Sequence, residues 1–348
     1  MDPFHAGGTA WRTASVELCL DLTTILARNA YELIETSDDV FDFVTDADQH
    51  TGTRTRMIDA ANERLANRWL NLDRVRRSAP DEIFMHSEEA TRPWRGTADE
   101  KPWLLQVDEF DGTTIATGSA NNWSVSALAF VWSHRRHKYS LAGGAIAGHD
   151  GHVVTYVNTT TRIGGVASTM SGDVWFRRYD LFSEREPDSL EPVALGPATY
   201  VDGISSGTAD MLAINAAAGD RGSALVDTYT ALLTGTRYRT LCAGTPIVYG
   251  AIRGRIGMII DPVSATLHDA NHLFPLACLG WGVYDLESMK SIDVLKLAEE
   301  NCEPGGVRRP IPPCVTVRSP EALNLYQQLV FALPRGDRFS TAEGGTPL

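Results

Sequence analysis

The sequence predicts two successive halves of different fold class, an α+β half over residues 13–203 and an α/β half over residues 204–348. In the first half, helical periodicity gives way to a series of short apolar runs separated by turns, which is typical of an antiparallel meander beside helices. In the second half, short strands and helices alternate along the chain, which indicates an α/β layer. Residues 1–12 contain glycines and show no periodicity, so they are expected to form a loose terminus.

The elements of the first half follow from the spacing of apolar residues. Leu18, Leu22, Ile25 and Leu33 recur at helical spacing and predict a first helix that ends near Glu35. A second amphipathic helix and a series of strands are expected after it. In chain order, the sequence predicts a strand at 41–44, a turn at 48–52, a helix at 54–72 and strands at 82–86, 103–107, 123–132, 139–147 and 153–158.

The elements of the second half follow from the same patterns. Before them, residues 184–197 are acidic and carry three prolines, which places this stretch outside the core. Ser319 and Pro320 are a start signal for the closing helix. The predicted elements are a helix or a broken pair of helices at 208–233, helices at 246–251, 269–279 and 321–333, and strands at 238–242, 257–260, 282–286 and 313–317.

The composition indicates an ordinary globular protein. The chain has 348 residues, of which 43% are hydrophobic, enough for a sizeable core. The formal charge of −13 disfavours nucleic acid or an anionic membrane surface as a partner, because both repel an acidic protein. Five cysteines without paired spacing and the lack of a leader predict a reduced, cytoplasmic protein, and no apolar run reaches the ~18 residues of a membrane span.

The stretch from residue 103 to residue 114 combines a strand pattern with two carboxylates and a turn. Four apolar residues and one glutamine lead into Asp108, and Asp111 with Gly112 reads as a turn that opens a helix. Asp108 and Asp111 can converge on one point, where a hard divalent cation would stabilise them. The alternative is a solvated Asp-Gly turn without a ligand.

More acids outside this stretch support the cation site. Glu88 and Glu89 follow the apolar run 83–85, and Asp269 lies just before another apolar run. The acids lie in four short fragments along the chain. These are Val-Thr-Asp-Ala-Asp-Gln at 44–49, His-Ser-Glu-Glu at 86–89, Asp-Glu-Phe-Asp-Gly-Thr-Thr at 108–114 and His-Asp-Ala-Asn-His at 268–272.

These four fragments resemble the signatures of the inositol monophosphatase and fructose-1,6-bisphosphatase superfamily. Members of this superfamily are Mg²⁺-dependent, lithium-sensitive phosphatases. The order and spacing of the fragments fit the family, and the resemblance covers roughly residues 16–333. It implies the family's layered α-β-α-β-α sandwich, in its inositol monophosphatase-like branch. It also implies a homodimer.

The resemblance implies two or three Mg²⁺ ions held by carboxylates. Phosphate ester hydrolysis must overcome repulsion between the anionic ester and its nucleophile, and metal ions about 4 Å apart supply both neutralisation and an activated water. By the family's pattern Asp108 bridges two ions, and Glu88 would also contact a third. The implied ligands are Glu88, Asp108 and the backbone carbonyl of Phe110 for the first ion, and Asp108, Asp111 and Asp269 for the second.

The resemblance also implies the groups that hold the phosphate and the water. Gly112, Thr113 and Thr114 would bind phosphate oxygens at the start of a helix, where N–H groups and the helix dipole favour anions. Thr113 would orient and deprotonate the attacking water together with Asp48, and Glu88 would assist.

Four further residues lie within the matched fragments. Asp46 is the alternative to Asp48, which is preferred because it matches the motif's acid when counted from Val44. Glu89 is expected to support the ligands rather than to bind a cation. His268 and His272 are each open between a packed core histidine and a participant in the site.

The recognition region departs from the family's pattern more than the metal site does. Ala243, Gly244 and Thr245 resemble the stretch that contacts inositol, and Asp261 lies beside Pro262, where the family has an acid. These four residues, Ala243, Gly244, Thr245 and Asp261, are the predicted substrate contacts.

Three further departures leave the metal-binding side chains in place. Glu109 stands where the family usually has proline, His268 where it has tryptophan, and Ser87 where it has glycine.

The sequence therefore predicts a metal-dependent phosphoric monoester hydrolase acting on a small phosphorylated polyol, sugar or cyclitol. A 3'-phosphonucleotide or a sugar bisphosphate is the alternative substrate. An inactive family member that binds a ligand or partner is the alternative from a different class, because three motif positions are altered.

Overall fold

The structure is a computed structural model that describes most of the chain. It contains two β-sheets with helices between and outside them, in agreement with the predicted α+β half and α/β half. The predicted division near residue 203 lies outside the described residues. The described residues are 3–42, 56–79, 82–87, 101–112, 122–133, 137–160, 170–182, 189–201, 211–215, 238–242, 245–262, 264–302 and 310–331.

The first sheet has seven strands that follow chain order from β1 to β7. Strands β1 and β2 are parallel, and every later neighbouring pair is antiparallel, as the predicted meander requires. The strands are β1 Ile83–Ser87, β2 Trp103–Asp111, β3 Ser124–Ser133, β4 Lys138–Gly148, β5 His152–Asn158, β6 Gly172–Arg178 and β7 Thr199–Tyr200.

The second sheet has five strands in the order β11-β12-β10-β8-β9. Strand β8 is parallel to β9 and β10, and β12 is antiparallel to β10 and β11, so this sheet is mixed. The strands are β8 Met211–Asn215, β9 Tyr238–Cys242, β10 Met258–Asp261, β11 Gly282–Asp285 and β12 Cys314–Val317.

Seven helices in the described residues cover the two sheets. Helix α1 packs against β3 and β4, and α5 packs against β5 and β6 on the other side of the same sheet. The helices are α1 Pro3–Thr36, α2 Met57–Trp69, α3 Asp73–Ser78, α4 Ile247–Ile252, α5 Leu273–Cys278, α6 Val294–Glu300 and α7 Pro320–Phe331. None of the helices in the described part of the chain is long and apolar enough to cross a membrane.

Among the described residues, three hydrophobic cores lie between the layers. The first joins α1 and α2 to one face of the seven-stranded sheet and includes Trp69. The second lies between the two sheets and contains Phe274 of α5 with Ile259 of β10. The next residue of β10, Ile260, points to the third core together with Tyr326 of α7. The alternation along β10 confirms the α-β-α-β-α order of layers.

The start of the chain differs from the prediction. Helix α1 begins at Pro3, whereas residues 1–12 were expected to be loose. Long-range contacts support the first turns: Trp11 packs edge-on against Trp103 at 6.1 Å between ring centroids, and Arg12 donates to the Asn158 carbonyl at 2.6 Å. These contacts are not visible in the local pattern.

The first half contains one error of element type, one of a helix boundary and one of burial. Residues 41 and 42 of the strand expected at 41–44 lie in a turn, where the Asp42 N–H donates to the Asp39 carbonyl, and residues 43 and 44 lie outside the described part. The second helix ends at Trp69 rather than at 72 and is followed by the short helix α3. The stretch at 184–197 was placed outside the core, but Val193 is buried in the first core.

The second half contains one error of element type. The helix expected at 208–233 is a strand, β8, where the chain is described, since Met211–Asn215 pairs with β9 and β10. Residues 216–237 lie outside the described part. The other predicted strands of this half are confirmed, and β6, β7 and α6 are present although the sequence analysis did not assign them.

Candidate metal centre

A bulge in β2 brings Asp108 and Asp111 to the same face of the sheet. Residues three apart in a regular strand point to opposite faces. Here Asp108 pairs with Ser126 and Asp111 pairs with Ser124, so three steps along β2 oppose two steps along β3. The extra residue returns Asp111 to the face of Asp108. The Phe110 N–H donates to Asp108 Oδ1 at 3.1 Å and closes the bulge.

Asp269 reaches the site from the turn that precedes α5. Its carboxylate Oδ2 accepts hydrogen bonds from the Thr266 N–H at 3.1 Å and from the Thr266 hydroxyl at 2.8 Å. The Asp269 N–H lies 3.4 Å from the same hydroxyl, so the two residues form a reciprocal capping box. This box fixes the Asp269 side chain ahead of the helix.

The three aspartates converge although Asp108 and Asp269 are far apart in sequence. Asp108, Asp111 and Asp269 each offer a carboxylate oxygen, and these oxygens lie within 4.8 Å of one another. Asp108 and Asp111 are buried, and Asp269 is partly exposed. Burial and the nearby Asp269 carboxylate raise the pKa of Asp111 to about 6, because the charged form is disfavoured there.

The donor set fits a hard divalent cation. Carboxylate oxygens are the ligands that Mg²⁺, Mn²⁺ and Ca²⁺ prefer, and three of them within reach of one point can bind a single ion. A cation there would neutralise the repulsion that acts on Asp111. The seven-stranded sheet supplies Asp108 and Asp111, and the turn before α5 supplies Asp269, so the cluster joins the two predicted halves.

The turn after Asp111 requires glycine. Gly112 has a φ of +97°, and a Cβ at this position would lie 2.7 Å from the Asn122 carbonyl oxygen and 3.2 Å from the Trp123 Cα. A side chain is therefore excluded both by conformation and by space. The backbone beyond Asp111 can make this close approach only without a Cβ.

Thr245 contacts the cluster directly. Its N–H and its hydroxyl both donate to Asp111 Oδ2, the hydroxyl at 2.8 Å. Its hydroxyl also meets the Ser124 hydroxyl in a short hydrogen bond. The sequence predicts Thr245 as a substrate contact, and the structure places it against a predicted metal ligand.

Asp261 lies behind the cluster, at the end of β10. Its Oδ2 is 3.2 Å from His272 Nε2 and 3.8 Å from Cys314 Sγ. Burial lowers the pKa of His272, but the carboxylates of Asp261 and Asp111 outweigh burial and leave it above its ordinary value. His272, whose role was open, is therefore a buried partner of Asp261.

His268, which stands where the resembling motif has tryptophan, makes an aromatic contact of its own. Its ring stacks on His86 of β1 with 6.0 Å between centroids and 21° between planes. The stack joins β1, which leads to Glu88, to the turn that carries Asp269. It is a packing contact between two segments that carry predicted ligands.

Glu109 points to the opposite face of β2, toward α2. The Asn62 side chain donates to the Glu109 carbonyl at 2.8 Å, and Asp59 and Glu63 of the same helix add negative charge nearby. Burial raises the pKa of Glu109 to about 8, against a smaller opposing contribution from Ser87. A carboxylic acid thus stands where the family has proline.

The raised pKa of Glu109 predicts that ionisation of this side chain lowers the stability of the folded protein as the pH rises. Because the folded pKa lies above the unfolded value, the folded state binds more protons between pH 5 and 8, and stability falls as pH rises through this window. Glu109→Gln removes this loss. In metal-free protein, the difference in unfolding free energy between the variant and the parent should grow by about 3 kcal/mol from pH 5 to pH 8.

Urea unfolding of both proteins across this range measures the difference. Glu17→Gln, at an exposed position of α1, is the matched control. A Glu109→Gln difference that is constant with pH would contradict the assignment of a neutral acid at this position.

Several predicted site residues lie outside the described residues. They are Asp46, Asp48, Glu88, Glu89, Thr113, Thr114, Ala243 and Gly244, and their roles stay predictions. Of the others, the structure brings together Asp108, Asp111, Asp269 and Thr245, and it places Phe110 and Gly112 within the same turn region.

Sequence reasoning missed two groups that orient the aspartates. Thr266 has a visible signal, because Thr-x-x-Asp ahead of an apolar run is a capping-box pattern. Ser124 has none, since its contact with Thr245 spans 121 residues and depends on how the two halves pack.

Solved structures align with this chain over nearly its whole length. The extragenic suppressor protein SuhB from Bartonella henselae aligns with a TM-score of 0.54 and 11% identity, over 90% of this chain and 97% of that chain. CysQ from Bacteroides thetaiotaomicron, a bacterial member of the inositol monophosphatase family, aligns with a TM-score of 0.52 and 12% identity, over 88% and 96%. The chain has the inositol monophosphatase fold.

A third structure with the inositol monophosphatase fold, the enzyme from Thermotoga maritima, aligns with a TM-score of 0.50 and 12% identity, over 89% of this chain and 97% of that chain. No protein-family model matches the sequence, and no curated protein sequence matches it. The similarity is thus one of fold, and the three aspartates must carry any argument about chemistry.

Proposed function

We propose that this chain is a Mg²⁺-dependent phosphomonoesterase that acts on a small phosphorylated polyol, sugar or cyclitol. One observation carries the proposal: oxygens of Asp108, Asp111 and Asp269 lie within 4.8 Å of one another in an inositol monophosphatase fold. Three partly or wholly buried carboxylates repel one another, and a bound cation would relieve this repulsion.

In this proposal, Asp108, Asp111 and Asp269 hold the cations, together with Glu88 and the Phe110 carbonyl. Bound Mg²⁺ supplies charge neutralisation at the phosphate ester and makes an attacking water more acidic. The protein's part is to hold the carboxylates in place, and the bulge of β2 and the Thr266–Asp269 capping box support that task.

Phosphate binding is proposed for the backbone that follows Asp111. Gly112 permits the backbone to come within contact of Asn122 and Trp123, and the N–H groups of Gly112, Thr113 and Thr114 would donate to phosphate oxygens. Asp48 and Thr113, with assistance from Glu88, would orient the water and accept its proton.

The acidity of the chain is compatible with an anionic substrate. The formal charge is −13, and a bound cation inverts the potential at the centre where the phosphate would bind. Recognition beyond the phosphate is proposed for Ala243, Gly244, Thr245 and Asp261. Inositol phosphate, sugar phosphates and 3'-phosphonucleotides or sugar bisphosphates are the substrates to be compared.

Phosphate release from a panel of small esters tests the proposal. Purified protein with Mg²⁺ is expected to release phosphate from at least one polyol, sugar or cyclitol monophosphate, and EDTA should remove the activity. Turnover limited to adenosine 3',5'-bisphosphate or to a sugar bisphosphate would replace the proposed substrate class. Metal binding without turnover of any ester would instead favour a non-catalytic binding protein.

Compartment and assembly belong to the same proposal. Cys19, Cys278, Cys302 and Cys314, whose side chains the structure describes, are not in disulfide bonds, which is compatible with the proposed cytoplasmic location. A homodimer is proposed from the family resemblance, and light scattering of the purified protein would test it.

A further inference from the structure

Thr245 makes two hydrogen bonds to a single carboxylate oxygen of Asp111. Its backbone N–H and its side-chain hydroxyl both donate to Asp111 Oδ2, and neither bond uses Oδ1. The two residues are 134 positions apart, and Thr245 is 0% exposed. A buried threonine from the second half therefore fixes the rotation of a carboxylate at the end of β2.

The hydroxyl hydrogens can be assigned by counting donors. A threonine hydroxyl carries one hydrogen, and an ionised carboxylate can only accept, so the Thr245 hydrogen points to Asp111. The short contact between the Thr245 and Ser124 hydroxyls must then be donated by Ser124. The result is a directed chain from Ser124 to Thr245 to Asp111.

The β2–β3 ladder connects the two ends of this series of hydrogen bonds. Ser124 is the residue of β3 that pairs with Asp111 of β2, on the strand side of the bulge. Asp111, Ser124 and Thr245 thus form a ring of one ladder pair and two side-chain contacts, all of it buried. A ring of this kind holds the carboxylate in one orientation, with Oδ1 left for another partner.

We propose that Thr245 is a positioning residue that orients Asp111 for cation binding, with Ser124 acting through Thr245. This inference rests on the proposed function, because it takes the three aspartates as the cation ligands. It also reassigns the Thr245 side chain, because its hydroxyl hydrogen is donated to Asp111 and so is not available for donation to a substrate. Substitution of a group that orients a metal ligand in this way typically weakens metal affinity about 10–100-fold.

Three variants separate orientation from folding. Thr245→Val keeps the shape and the backbone N–H but removes the hydroxyl, and Thr245→Ser restores the hydroxyl. Ser124→Ala removes only the donor to Thr245. Thr24→Val is the matched control, since Thr24 is a buried threonine of α1 whose hydroxyl donates to the Leu20 carbonyl at 2.8 Å, far along the chain from the site.

The primary measurement is Mn²⁺ binding to the metal-free proteins, monitored through the electron paramagnetic resonance signal of free Mn²⁺. Thr245→Val is expected to weaken binding at least about 10-fold, and Thr245→Ser and Thr24→Val are expected to stay within about twofold of the parent. Ser124→Ala should weaken binding less than Thr245→Val. It should add nothing in the Thr245→Val background, because its effect passes through the missing hydroxyl.

The outcomes distinguish this inference from the proposed function. Parent-like Mn²⁺ affinity in Thr245→Val overturns the positioning role and leaves the metal site standing. A parent protein that binds no Mn²⁺ overturns the proposed function and this inference with it. If Thr245→Val does not fold, parent-like affinity in Ser124→Ala still contradicts the chain of hydrogen bonds. In activity assays, Thr245→Val should raise the Mg²⁺ concentration for half-maximal rate more than Thr245→Ser does.

Discussion

Asp111→Asn is expected to remove at least ~99% of the metal-dependent phosphatase activity while the fold is retained. Substitution of groups that merely support a metal ligand costs about 10–100-fold, so loss of a ligand's own charge should cost at least about 100-fold. The fold should persist because an asparagine carbonyl can still accept the two bonds from Thr245. In metal-free protein the variant should be no less stable than the parent, since the repulsion between Asp111 and Asp269 is removed.

Phosphate release at saturating Mg²⁺ and thermal unfolding in EDTA measure the two effects. Asp73→Asn, in the exposed first turn of α3, is the matched control and should retain activity. An Asp111→Asn protein with parental turnover would remove Asp111 from the metal site. An inactive variant that is also strongly destabilised without metal would point to a structural role instead.

Gly112→Ala is expected to destabilise the protein by about 2–4 kcal/mol and to lower activity as well. The backbone conformation, with φ at +97°, costs a residue with a side chain about 1–3 kcal/mol. The contact of 2.7 Å between the new Cβ and the Asn122 carbonyl oxygen adds a clash with backbone, which cannot move as a flexible side chain can. Relief of the clash would displace the turn that carries Asp111.

Gly280→Ala separates the two contributions. Gly280 also has a positive φ, +86°, but a Cβ there would meet no atom within 4 Å, so only the conformational cost of about 1 kcal/mol is expected. In urea unfolding, the Gly112→Ala variant should therefore have a clearly lower free energy of unfolding than the Gly280→Ala variant. Equal stabilities of the two variants would show that the space around Gly112 is not limiting.

Periodicity predicted those elements whose pattern is long or strictly alternating. The first helix and the meander of β3, β4 and β5 were of this kind. It failed at Met211–Asn215, because a short apolar run does not distinguish a buried parallel strand from part of a helix. Pairing with β9 and β10 decides the outcome there, and that pairing is formed by residues distant in sequence.

The acids of the site could be identified from sequence, but their geometry could not. The spacing of Asp108 and Asp111 would place them on opposite faces of a regular strand, and only the bulge opposite Ser124 and Ser126 brings them together. The helix expected to open at Asp269 begins at Leu273, and the residues before it form turns in which the Asn271 N–H donates to the His268 carbonyl and the Leu273 N–H donates to the Ala270 carbonyl.

The long-range contacts at the site were beyond local reasoning. Thr245 contacts Asp111 across 134 positions, and the contact depends on the packing of the segment before α4 against the end of β2. The pair of Asp261 and His272 depends likewise on β10 and the turn before α5. Side chains that act at such distances leave no period or motif in the sequence.

Anomalous diffraction from crystals soaked in Mn²⁺ tests the central claim most directly, because it locates the cation itself. The account predicts a strong anomalous peak about 2 to 2.5 Å from a carboxylate oxygen of each of Asp108, Asp111 and Asp269. Crystals at saturating Mn²⁺ with no peak between these three carboxylates, or with peaks only elsewhere on the protein, would contradict it.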